Sequence, residues 1–226
     1  MKSEAVAGSD VVRVWDLPTR IFHGALVVAS VTTAQIGGNA LAWHFRSSYA
    51  VFVLFFRIVW GLVGGRWSRF ASFLHAPGTT LRYLRGERRP EENLDVGHSP
   101  IGALSVFGLV GILSAQVATD LFADDEISSV GPLARFVPGA ASNLATTLHK
   151  RFGQWLIIAL VLLHVAAVLY YLLKKRHNLV RPMLTGAKPL GPGVPPSTDN
   201  LGSRGRALAL LLACAAGVAW LVSFGA

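Results

Sequence analysis

Apolar residues fall into five long runs, 21–42, 49–65, 101–122, 152–173 and 207–224, separated by polar, charged or Gly/Pro-rich stretches. Each approaches the roughly 20 residues that an α-helix needs to cross a hydrocarbon core about 30 Å thick, the second being the shortest. Lipid offers no partner for backbone N–H and C=O groups, so the runs predict helices, not open strands. The stretch "TGAKPLGPGVPPSTDNLGSRG" (185–205) is rich in Pro, Gly and Ser and sets the last run apart. The pattern predicts an all-α membrane protein: a four-helix transmembrane domain over 1–186, a Pro/Gly-rich linker over 187–206 and an additional C-terminal transmembrane helix over 207–226.

Composition agrees, with 52% hydrophobic and 15% charged residues and a mean hydropathy of +0.48. The net charge of +9 is explained by position. Arg66, Arg69, Arg82, Arg85, Arg88 and Arg89 lie between the second and third runs. Lys174, Lys175, Arg176, Arg181, Lys188, Arg204 and Arg206 lie between the fourth and fifth. On the opposite side, Arg46 stands alone in the first loop, and Asp120, Asp124, Asp125 and Glu126 accompany Arg135 after the third run. The positive-inside rule then puts the N-terminus and both basic loops in the cytoplasm and the C-terminus in the periplasm. Charge of this origin gives no reason to expect nucleic acid as a partner. No signal peptide is expected, because the first run follows some twenty polar or mixed residues and no small-residue cleavage site follows it. Cys214, the single cysteine, excludes a disulfide framework and a C-x-x-C-H attachment of c-type haem.

The histidines carry the chemistry. His75 and His177 sit among basic residues in loops and read as solvated. Five others fall within or at the ends of the runs: His23, His44, His98, His149 and His164. Ionisable residues inside a span are costly, so each is a functional candidate. His149 and His164 are 15 residues apart; on a straight helix they stand about 60° apart around the axis and about 22 Å apart along it. Topology sorts four of the five by depth into an outer pair, His44 with His149, and an inner pair, His23 with His164. Two imidazoles from different helices suit an axially ligated planar macrocycle, whereas a structural zinc wants four ligands at one point. Two b haems, each with bis-histidine ligation of the iron, fit best. Haem propionates need cations or donors, and Arg20, Arg46, Arg57, Lys150 and Arg151 are the candidates. Arg57, well inside the second run, needs an internal partner.

The stretches "VRVWDLPTRIFHG", "WHFRSSYAVFVLFFRIVWGLVG", "GHSPIGALSVFGLV" and "LHKRFGQWLIIALVLLHVAAVLYY…NLVRPMLTG" resemble the bacterial cytochrome b561 and nickel–iron hydrogenase cytochrome b family. The likeness runs in order from Val11 to Gly186. It implies a four-helix membrane cytochrome with two b haems and ligands on the first, second and fourth helices, which fall here on His23, His44, His149 and His164. Two departures stand out: Gly24 where an aromatic often follows the first ligand, and "HSP" where "HNP" is common. The fifth helix lies outside the resemblance.

The reading that follows is a diheme carrier in the bacterial inner membrane, an electron-transfer subunit of a quinone-linked oxidoreductase. Its partners are membrane lipid, quinone and a periplasmic c-type cytochrome, hydrogenase or other dehydrogenase, with an oligomer left open. His98 and Ser99, where the third helix begins, are the candidate quinone site, with Pro100 suited to the first turn. The competing readings are a haem-free transporter using the histidines as a proton relay, and a structural membrane anchor.

Overall fold

The computed structural model describes residues 10–35, 40–87, 89, 92–124 and 130–225; within 29–35 and 40–50, and at 225, the backbone path alone is described. The side chains of His44 and Arg46, together with Arg88, Asp125, Glu126 and Ala226, lie outside the described residues. The molecule is mostly helical. Its elements are β1 (Asp10–Arg13), α1 (Leu17–Gln35), α2 (Ala40–Val63), α3 (Pro77–Leu84), α4 (Pro100–Phe122), α5 (Gly139–Thr147), α6 (Gln154–Leu173), α7 (Val180–Thr185), β2 (Ala187–Leu190) and α8 (Leu201–Val222).

Three stretches among the described residues are long and apolar enough to cross a membrane: Pro100–Phe122, Gly139–Leu173 and Leu201–Val222. The described parts of α1 and α2 add shorter apolar stretches, Leu17–Val28 and Val51–Val63. The helices pack α1 on α2, α2 on α4 and α4 on α6, and α8 lies along α2 and touches α1. Leu156, Leu162, Leu163 and Leu169 of α6 are exposed, as lipid-facing side chains should be. Where α8 meets α2, small Ala207 and Cys214 pack against Phe56 and Trp60, a close approach of the kind that small residues permit in lipid.

One expectation changes at the linker. Residues 187–190 pair antiparallel with β1, from Asp10↔Leu190 to Arg13↔Ala187. The chain beyond stays packed: Trp67 Nε1 donates to Pro195 O at 2.8 Å and Ser197 N to Arg13 O at 2.7 Å. Val14, Trp15, Trp67 and Val96 form a small core there with Met183, Leu190 and Val194. Asn200 caps α8 through a reciprocal bond pair with Ser203, so that helix starts at Leu201, six residues before its apolar run. Gly186 ends α7 with φ 84°, and its carbonyl accepts from Val14 N and Trp15 N at 2.9 and 3.1 Å.

Candidate functional site

At the end of the bundle where α1 begins and α2 ends, Asp16 is fully buried. It caps α1 by accepting from Thr19 N at 2.9 Å. The same carboxylate accepts from Trp60 Nε1 at 3.2 Å, Gly65 N at 3.0 Å and Ser68 Oγ at 2.8 Å. Thr19 Oγ1 donates to Ser68 Oγ at 2.8 Å and closes the network. This ties the first turn of α1 to the last turn of α2 and sets the frame from which His23 projects two turns further on.

Next to this frame lie His23, His98, His164 and Arg57. His23 and His164 are electrostatic neighbours, and Arg57, His23 and His164 all act on His98. His23 of α1 and His164 of α6 thus lie within electrostatic range of each other. His164 Nδ1 lies 3.3 Å from Ser105 Oγ on α4, an arrangement that leaves Nε2 for a metal. The His98 ring is held between Trp15 and Phe73 in tilted contacts, with centroid distances of 4.7 and 4.6 Å, and its buried Nδ1 has no partner among the described residues. Ser99 caps α4, its Oγ accepting from Gly102 N at 3.2 Å. Arg57 is 4% exposed; its guanidinium lies over Phe70 at 4.7 Å and Phe22 at 5.8 Å, and Nη1 has no partner among the described residues.

At the other end, His149 lies in a π-helical turn, Leu148–Gly153, that joins α5 to α6. Its Nδ1 is 3.1 Å from Gln116 O and 3.3 Å from Thr119 Oγ1, and Gln116 Nε2 donates to His149 O at 3.1 Å. A carbonyl only accepts, so Nδ1 carries the proton and Nε2 keeps a lone pair for a metal. Nε2 faces Asp120 Oδ1 at 3.7 Å. The wide turn also changes the helical arithmetic: one inserted residue takes back about 100°, turning the 60° offset between His149 and His164 into about 40° in the other sense. Both rings stay on one side of the helix.

The candidate cations divide. Arg20 donates from Nε to Met183 O at 3.3 Å and from Nη2 to Leu184 O, so those donors serve the end of α7. Lys150 and Arg151 are exposed beside His149. His75, expected to be solvated, is half-buried, and its shielded Nε2 has no partner among the described residues, while His177 is exposed. Sequence reasoning missed Asp16, Ser105, Gln116 and Thr119. For Asp16 the start signal was there, an acidic residue just before Leu17 and Pro18; the other three are ordinary polar residues within an apolar helix.

The residues present fit a haem b. Of the described ligand candidates, His23 comes from α1 and His149 and His164 from the helix that ends in α6; the latter two have Nδ1 held and Nε2 available, and buried nitrogens of Arg57 and His98 have no partner among the described residues. Among the described residues no three His, Cys, Asp or Glu side chains gather as a metal site of their own. Neither curated proteins nor solved structures give a match. The family model for prokaryotic cytochrome b561 matches residues 14–186, which takes in α1 through α7 and leaves α8 outside. The chain belongs to the prokaryotic cytochrome b561 family of electron-transferring membrane cytochromes.

Proposed function

We propose that this chain carries two b haems, the inner one held by His23 and His164 and the outer one by His44 and His149, in a four-helix transmembrane bundle with α8 as a fifth span. It passes electrons between the quinone pool, at the inner end beside the start of α4, and a periplasmic redox partner. That partner is a c-type cytochrome, a hydrogenase or another dehydrogenase. The observation that best supports this is the electrostatic proximity of His23 and His164, from helices far apart in sequence, beside buried nitrogens of Arg57 and His98 that have no partner among the described residues. A haem held by these histidines would supply one-electron transfer.

The chain's own residues supply orientation and insulation. The Gln116 carbonyl sets the tautomer of His149, and Ser105 steadies the His164 ring. The Asp16 network fixes α1 against α2 and so the position of His23. Reduced-minus-oxidised visible spectra of the wild type, His149→Ala and His164→Ala test the assignment. Two b-type components are expected, with a different one lost in each variant. A wild type without haem bands would favour the proton-relay or anchor readings, and loss of the same component in both variants would overturn the pairing.

A further inference from the structure

Arg57 poses a specific problem. A guanidinium stays charged, and burying it in an apolar bundle is costly unless an anion compensates. Asp16 is its electrostatic neighbour, yet that carboxylate already accepts from four donors: Thr19 N, Trp60 Nε1, Gly65 N and Ser68 Oγ. Arg57 Nη1 has no partner among the described residues, and neither does His98 Nδ1. The two unpartnered nitrogens belong to one assembly. Arg57 lies over Phe70, Phe70 meets Phe73 at 5.9 Å, and Phe73 makes a tilted ring contact with His98 at 4.6 Å. Gly61, one turn beyond Arg57, keeps space for the guanidinium: a Cβ there would lie 2.7 Å from Nη1.

We infer that Arg57 and His98 together form a carboxylate-binding cradle, occupied by a propionate of the inner haem. This rests on the diheme reading. A carboxylate fits because it answers both needs at once, a counter-charge for Arg57 of α2 and an acceptor for the Nδ1–H tautomer of His98 in the turn before α4. A quinone carbonyl would accept hydrogen bonds but would leave the buried guanidinium without a counter-charge. His98 is therefore a structural donor to the haem, with its ring orientation set by Trp15 and Phe73.

The test is a redox titration of the purified holoprotein, with haem counted per chain, in the wild type, Arg57→Gln, Arg57→Lys and His98→Leu. A cation beside a haem favours its reduced form, so Arg57→Gln should lower the inner midpoint at least tenfold in equilibrium constant, about 59 mV for one electron, and leave the outer midpoint in place. Arg57→Lys should recover much of that fall, and His98→Leu should produce a smaller fall in the same direction. Loss of the inner haem alone in Arg57→Gln, restored by Arg57→Lys, supports the cradle equally. Should Arg57→Gln fail to accumulate, the midpoints of Arg57→Lys and His98→Leu decide. Both midpoints at wild-type values overturn the inference, and unchanged midpoints with impaired quinone-linked turnover would give the donors to a quinone instead. A wild type with fewer than two haems overturns the diheme reading itself, and the cradle with it.

Discussion

Replacing Asp16 with alanine probes the frame that positions the inner site. The substitution strips the acceptor from two backbone N–H groups, Thr19 and Gly65, and from Trp60 Nε1 and Ser68 Oγ. Hydrogen bonds to a charged group contribute about 1.5–3 kcal/mol each, and the loss of a helix N-cap alone costs about 1 kcal/mol. The contributions do not sum in full, because the Ser68 hydroxyl can rotate and water can reach a helix end near the membrane surface. We expect a net loss of about 3–5 kcal/mol, the range for breaking a buried charged network. Asp16→Asn keeps one acceptor oxygen but turns an NH2 group toward existing donors, and should cost about 2 kcal/mol. The assay is denaturant unfolding in detergent micelles followed by tryptophan fluorescence, to which Trp60, an Asp16 partner, contributes. An Asp16→Ala protein within 1 kcal/mol of the wild type would show that the network does not hold α1 to α2.

Further outcomes follow from other parts of the fold. Gly186→Ala should destabilise by about 1–2 kcal/mol, because φ is 84° and the added Cβ would lie 2.9 Å from Trp15 O; equal unfolding midpoints would refute it. Asp199 is hydrogen-bonded to Arg204 and paired with Arg13, and these partners hold its carboxyl below the usual range. Its stabilisation is therefore complete above the unfolded value of about 3.9 and fades as pH falls through the lower folded value. The stability gap between the wild type and Asp199→Asn should be flat above about pH 4 and shrink below it, and a gap that grows on acidification would contradict the assignment. A topology reporter fused after Gly186 should read cytoplasmic and one fused after Ala226 periplasmic; the same side for both would mean that α8 does not span.

The elements that lipid dictates could be read from residue order, and those that depend on a distant partner could not. The apolar run 101–122 became Pro100–Phe122 almost unchanged, because a spanning helix must satisfy its own backbone and its length follows from the bilayer. β2 read as linker because Ala187–Leu190 sits in a Pro/Gly-rich stretch, and its partner β1 lies at the other end of the family-matched region. For Asp16, the capping role is local and legible, whereas Trp60, Gly65 and Ser68 become its donors only once α2 returns beside α1. At the candidate site, depth along the spans is the sequence argument for grouping His23 with His164, which are electrostatic neighbours across α1 and α6. The π turn at His149 was hidden, since nothing in Leu148–Gly153 distinguishes a wide turn from an ordinary one. His75 misled because its charged neighbours suggested water, while its Nε2 is shielded by the fold.

The proposed function requires one chain to hold two b haems between histidines of different helices. A pyridine haemochrome assay on the purified protein, set against polypeptide concentration from amino-acid analysis, tests it directly. The account predicts two non-covalent haems per chain in the wild type and one in His149→Ala, with the inner component retained. One haem or none in the wild type, or the loss of both in His149→Ala, would contradict it.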